Sequence, residues 1–263
     1  MGIKHVLITN DDGVHRLGLK VLADAASEVF SRVTVVAPSS EMSGVSHGIT
    51  LTKPMRSRQH DNGYFSVDGT PADCIITALG YMCAEDPPDL VLSGINHGPN
   101  LGHDVFYSGT VAGAREGLIK GIPSVAFSLA RGHERGFENL GPLMRLLLRH
   151  IADQGLPEET MLNINIPVPN AEADYTWGGV QGIRGLRVTS LGHRTYSDEI
   201  LRREDPRGNE YFWIGGAMPV LTHIDGTDCG AILDGYVSVT PIDLNVTRQD
   251  VMDDLASFKD LEA

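Results

Sequence analysis

The chain reads as an α/β protein built on a mostly parallel sheet with helices on both faces. Short apolar runs alternate with helix-spaced amphipathic stretches five times within the first 166 residues. Parallel strands need crossovers, and crossovers are right-handed and cover both faces, so this alternation implies a Rossmann-like core. After Pro167 the pattern changes. Trp177, Gly178, Gly179, LRVTSL, the turn-rich REDPRGNE and YFWIG describe an antiparallel excursion that leaves the core.

The first strand is Val6 to Ile8, broken by the turn NDDG. Gly18 to Phe30 follows as a helix, with Leu19, Leu22, Ala23, Ala26 and Phe30 spaced three and four apart. Val33 to Ala37 is a second buried strand. In GTPADC, Thr70 caps a helix, Pro71 suits its first position and Asp73 favours its positive end, and the helix runs to about Cys83. Leu90 to Leu92 is a third strand. Thr110 to Lys120 is a helix stopped by Gly121, and Ser124 to Ser128 is a fourth strand. A helix over Met144 to Asp153 and a strand over Leu162 to Ile166 continue the series. Tyr236 to Thr240 alternates like a further strand, and Asp250 to Leu261 predicts a C-terminal helix. No internal repeat or low-complexity tract occurs.

At 263 residues the chain can bury a full core. Its formal charge of −13 and the lack of a basic stripe argue against a nucleic-acid duplex as partner. An acidic protein repels a phosphorylated substrate at long range, so a metal or a helix end must supply local positive charge. Cys74, Cys83 and Cys229 are odd in number, lack a CxxC spacing and follow no secretory leader, so a reducing cytoplasm is expected. No run of eighteen apolar residues is present, and Arg145 and Arg149 interrupt LMRLLLRHIA, so no membrane association is expected.

Four segments follow strands: NDDG, APSSEMSGVSHGIT, SGINHGPNLG and DVFYSGTVAGAREG. Post-strand loops of a parallel sheet gather at one edge, which can bring Asp11, Asp12, Ser43, Asn96 and the Ser108-Gly109-Thr110 turn together. Two carboxylates, a hydroxyl and an amide oxygen suit a hard divalent cation, Mg²⁺ or Mn²⁺, better than zinc. Backbone N–H groups and hydroxyls before the helix AGAREGLIK can hold a phosphate oxyanion, with Asn100 as a further donor. Each residue also has a plainer reading. NDDG suits an ordinary turn, Ser43 and Thr110 suit caps, and Asn96 beside Gly94 and Gly98 suits a tight turn. His47, His97 and His103 receive no role. P-loop, GxGxxG and HExxH patterns are absent.

LITNDDG, APSSEMSGVSHGIT, VDGTPADC, PDLVLSGINHGPNLGHDVFYSGTVAGAREG, REDPRGNEYFWIGG and GYVSVTPI together resemble the survival protein SurE family, in the same order and across almost the whole chain. The resemblance implies a divalent-metal-dependent phosphatase acting on nucleoside 5′- and 3′-monophosphates, with short polyphosphate as a further substrate of some members. It implies one cation per subunit, held by Asp11, Asp12, Ser43 and Asn96, and a phosphate held by Asn100, Ser108, Gly109 and Thr110. It also implies a single α/β domain over residues 1–263, an oligomerisation arm inserted at about 184–228, and a homodimer or homotetramer. Two departures stand out. His15, Arg16 and Leu17 follow NDDG where the family has a small residue and then Pro or a similar residue, which bears on substrate preference. Ser46 stands where the family commonly has Gly, which restricts the loop presenting Ser43 and His47.

The expected chemistry is metal-assisted hydrolysis of a phosphate monoester, with Asp11 and Asp12 as the catalytic acids and Asp12 as the proton acceptor. Rival readings are a phosphatase with a covalent aspartyl intermediate and a non-catalytic nucleotide- or metal-binding regulator.

Overall fold

The computed structural model describes residues 2–130, 136–197, 199–215 and 219–260. Its elements in chain order begin with β1 (His5–Thr9), α1 (Leu17–Ser27), β2 (Arg32–Pro38), β3 (Ser57–Gln59), β4 (Phe65–Val67) and α2 (Pro71–Thr77). A π-helical turn, Ala78–Met82, continues α2. Then come β5 (Leu90–His97), α3 (Gly109–Ile119), β6 (Ser124–Leu129), α4 (Gly141–Gln154), β7 (Met161–Ile166), β8 (Thr176–Trp177), β9 (Val180–Gln181) and β10 (Gly185–Val188). The last are β11 (Arg194–Thr195), β12 (Glu199–Glu204), β13 (Glu210–Gly215), β14 (Val220–Leu221), α5 (Asp228–Leu233) and β15 (Tyr236–Ile242).

Nine strands form the central sheet in the order β10-β15-β7-β6-β5-β1-β2-β4-β3. Pairing is parallel except between β15 and β7 and between β3 and β4. The period-2 geometry of the strands divides the core between two faces. Val6, Ile8, Leu90, Leu92, Val125 and Phe127 join α1 and α4 in one cluster. Leu7 and Val91 meet α2, while Ala126 meets α3, on the other face. Helices cover both faces, which is the architecture the alternation predicts.

Local signals explain most boundaries. Thr70 accepts from the Asp73 N–H and Asp73 accepts from the Thr70 N–H, a full capping box, with Pro71 at the helix start. β5 runs five residues past its predicted end, because Gly94 bends the strand instead of ending it: its φ is +132° and a Cβ there would lie 2.3 Å from the Phe127 carbonyl. The register against β6 shifts between Ser93 and Asn96, a bulge that re-aims the strand end toward β1.

Two expectations need correction, and two short strands were not legible in the sequence. LRVTSL is not part of the antiparallel excursion, since β10 pairs in parallel with β15 at the edge of the main sheet. The excursion proper is the β12–β13 hairpin, closed at Asp205 to Asn209 by the predicted turn, with the short β11–β14 pair at its base. β3 and β4 extend the sheet beyond β2 although neither has the length or apolarity to register in the sequence. The C-terminal segment forms 3₁₀ turns, Gln249–Val251 and Asp253–Asp260, in place of an α-helix, and Leu261 lies outside the described residues. Met252, Leu255 and Phe258 are exposed there, so among the described residues no buried apolar face stabilises a longer helix.

Candidate active site at the strand ends

Asp11 and Asp12 leave the end of β1 and are only 3% and 7% exposed. Asn10 shapes their turn, accepting from the Gly13 N–H and donating to its carbonyl. Asp11 faces the start of α3. Its Oδ2 accepts the Thr110 N–H at 3.0 Å and its Oδ1 accepts the Thr110 hydroxyl. Gly109 lies against the same carboxylate, where a Cβ would sit 2.8 Å from the Asp11 Cβ. Burial pushes the Asp11 carboxyl up to about 6; the Thr110 hydroxyl opposes that rise and the neighbouring Asp12 charge adds to it.

Asp12 faces the end of β5. Its Oδ2 accepts the His97 N–H at 3.1 Å and lies 3.3 Å from His97 Nδ1, whose ring packs on Phe137 at a centroid distance of 4.3 Å. The bulge in β5 makes this contact, and it brings Asn96 to the same edge. Asn96 donates its amide N–H to the Gly98 carbonyl, which leaves the amide oxygen as its other end. The loop after β2 is tied to the acids by the Met42 N–H, which donates to the Asp11 carbonyl at 2.8 Å. Ser43, next in that loop, is exposed and donates its hydroxyl to Glu41, so its oxygen lone pairs stay free for a cation. Among the described residues, neither Ser43 nor Asn96 bonds directly to the two acids.

The remaining sequence candidates divide. Ser108 caps α3, its Oγ accepting the Val111 N–H at 3.0 Å, and its own proton is free to donate outward. Thr110 spends its N–H and hydroxyl on Asp11. Asn100 is buried, one N–H of its amide donating to Ser128 Oγ at 2.8 Å and the other left without a bond among the described residues. His47 pairs with the buried Glu116 of α3 at 2.8 Å, and His103 stacks edge-on with His193, so neither touches the acids. His97 is the contact the sequence left without a role. Its only signal was adjacency to Asn96.

A divalent cation fits this donor set. Two adjacent carboxylates are buried without an Arg or Lys ion pair among the described residues, and Asp12 has only His97. Nor do those residues hold any cluster of three or more His, Cys, Asp or Glu, so beyond the two acids the donors on hand are neutral oxygens such as the Ser43 hydroxyl and the Asn96 amide.

Comparison with known proteins agrees. Residues 6–198 match the family model described as Survival protein SurE. The chain is 43% identical to the 5′-nucleotidase SurE of Methylococcus capsulatus, with 97% of each chain covered, and 41% identical to that of Aquifex aeolicus, covering 97% of this chain and 98% of the relative. The crystal structure of the SurE protein from Aquifex aeolicus superposes with a TM-score of 0.82 at 41% identity, covering 98% of this chain and all of that one. With a family model matched over most of its length and relatives more than 40% identical over nearly all of it, this protein belongs to the survival protein SurE family.

Proposed function

We propose that the chain is a divalent-cation-dependent nucleotidase that hydrolyses nucleoside 5′-monophosphates, and 3′-monophosphates, to nucleoside and inorganic phosphate. The observation that carries this reading is the placement of the buried Asp11–Asp12 pair directly beneath the N-terminus of α3. A cation site and an anion site then share one wall, as a phosphate monoester and its counter-ion require. Asp11, Asp12, Ser43 and Asn96 would hold the cation, with Mg²⁺ or Mn²⁺ favoured by the all-oxygen set.

When bound, the cation supplies Lewis acidity that offsets phosphoryl charge and makes water more acidic. The chain's own groups do the rest. Asp12, oriented through Oδ2 by the His97 N–H, accepts the proton of the attacking water. The Ser108 hydroxyl, the Gly109 N–H and the α3 dipole receive the phosphoryl oxygens, whose charge spreads in a loose transition state. Asp11, fixed by Thr110, keeps the cation side of the site registered with the anion side.

The assembly reading rests on exposed apolar surface. Ile200, Phe212 and Ile214 line one face of the β12–β13 hairpin, and Leu201, Tyr211 and Trp213 the other, all exposed. A two-stranded hairpin is marginal alone in water, so the arm, expected at about 184–228 and running from β11 to β14 once β10 is assigned to the main sheet, is taken to dock on other copies in a homodimer or homotetramer. A cleft of about 1040 Å³ beside the arm's base, lined by Val168, Leu221 and Leu233 with Arg184 and Arg187, offers a complement to the acidic, apolar tail. Among the described residues no helix is long and apolar enough to cross a membrane. The three cysteines are unpaired and buried, which supports a cytoplasmic setting.

The direct test is phosphate release from AMP with Mn²⁺ or Mg²⁺. Asp12→Asn is expected to lower kcat by about 10²–10⁴-fold with an unchanged circular dichroism spectrum. EDTA stops the wild type and either cation restores it. Activity within tenfold of wild type in the variant would overturn the assignment.

A further inference from the structure

We propose that Asn163 and Asn165 of β7 are positioning residues for Asn100 and, through it, for the phosphate; the inference rests on the nucleotidase reading. Both side chains are fully buried, in a strand whose other members are Met161, Leu162, Ile164 and Ile166. Asn165 grips the Asn100 backbone from both ends. Its Oδ1 accepts the Asn100 N–H at 2.8 Å, and its Nδ2 donates to the Asn100 carbonyl at 3.0 Å. Asn163 Nδ2 donates to the same carbonyl at 2.8 Å. A carbonyl only accepts, so this contact settles which way both amides face.

A loop residue thus has its backbone groups satisfied as a strand residue would, but by side chains reaching up from β7. That fixes the direction of the Asn100 Cα–Cβ bond. The side-chain amide then donates to Ser128 Oγ at 2.8 Å, and Ser128 is the β6 residue opposite Asn165. One N–H of the Asn100 amide is spent on Ser128, and the second remains to meet a phosphate oxygen. The arrangement has a cost that points to its purpose: among the described residues Asn163 Oδ1 is buried without a partner. An orphaned acceptor is destabilising, and Leu or Val at that strand position would avoid it. The amide is retained for its bond to the Asn100 carbonyl.

The test is a double-mutant cycle on the full-length protein with AMP and saturating Mn²⁺. Asn165→Leu is expected to raise KM about tenfold while kcat stays within about threefold, the pattern of lost binding that is common to ground and transition states. In the Asn100→Ala background the same change should leave KM within about twofold, because the side chain it positions is gone. Melting temperature, which reports the structural role alone, should drop equally in both backgrounds. Asn163→Leu, which removes one bond and the orphaned oxygen together, provides the same comparison if Asn165→Leu fails to fold. Calorimetric affinity for inorganic phosphate with Mn²⁺ should shift by the same factor, so positioning is read without turnover. A wild type that releases no phosphate from AMP would sink the nucleotidase reading alone. Folded variants with wild-type KM and phosphate affinity, or KM effects that multiply independently in the two backgrounds, would overturn the positioning role.

Discussion

Asp11 is held 3% exposed beneath the start of α3, and its carboxyl is pushed up to about 6, first by burial. The raised value sets the sign of its pH effect. The folded state binds the proton more tightly than the unfolded chain, so this stabilisation is complete below the unfolded value of 3.8 and is lost as pH rises through about 6. In EDTA the wild type should therefore lose on the order of 3 kcal/mol relative to Asp11→Asn between those limits, read from urea melts at each pH. Proton and cation compete for this carboxylate, so Mn²⁺ affinity should weaken below about pH 6. Ser46, which departs from the family pattern, adopts a φ of +56°, the left-handed region that glycine takes freely. It recovers part of that cost by bonding the loops on either side of the site: its N–H donates to the Tyr107 carbonyl and its hydroxyl to that of Phe106. Ser46→Ala and Ser46→Gly both lose the hydroxyl, but only Ala keeps the strain. The Gly variant should be the more stable by about 1 kcal/mol in chemical denaturation, and equal stabilities would refute the strain. The departure at Arg16 also reaches the site. Its guanidinium bonds Glu41, which accepts the Ser43 hydroxyl, although a pair this exposed contributes little to stability.

At the level of elements, α3 is the part whose placement decides whether the site exists. Its glycines at 109, 113 and 117 face the sheet, and a Cβ on Gly113 would lie 2.8 Å from Thr9 Cγ2 and 2.9 Å from Ser93 Oγ. The helix can therefore lie close enough for Thr110 to reach Asp11. Gly113→Ala improves helix propensity yet overpacks this contact, and overpacking should win: stability falls by about 1–3 kcal/mol and KM for AMP rises as Thr110 moves off Asp11. A stabilised variant with unchanged KM would show that the close approach is not needed. The helix itself was legible from Thr110 to Gly121, because apolar spacing and a stop signal are local. Its distance from the sheet was not, since three glycines in a helical run signal weak propensity until the opposing residues are known. β5 illustrates the same limit. Gly94 looks like a strand end in sequence, and only the Phe127 carbonyl opposite makes it a bulge that delivers His97 to Asp12.

On the scale of the whole molecule, one edge of the sheet gathers the candidate site residues while the arm and tail carry exposed apolar surface. Replacing Phe212 and Trp213 together by Asp should shift the protein to a smaller species in light scattering while the far-ultraviolet spectrum of the core persists; an unchanged mass would remove the arm from assembly. Much of this plan was written locally. Apolar runs, capping signals and the NDDG turn suffice for an α/β core, because burial periodicity and turn chemistry act over a few residues and need no partner. The tail fails that rule for a physical reason: its described apolar residues, Met252, Leu255 and Phe258, are exposed. The sequence by itself determined the apolar strands and amphipathic helices of the core and that their post-strand loops share an edge, since parallel strands joined by crossover helices all end on the same side; β3, β4 and the form of the tail it did not. Tertiary structure alone decided that Thr110 bonds Asp11, that His97 reaches Asp12, and that Asn163 and Asn165 hold Asn100 from inside the core. Those contacts join residues up to 99 apart, and contact at that range is set by packing distances that no local pattern encodes.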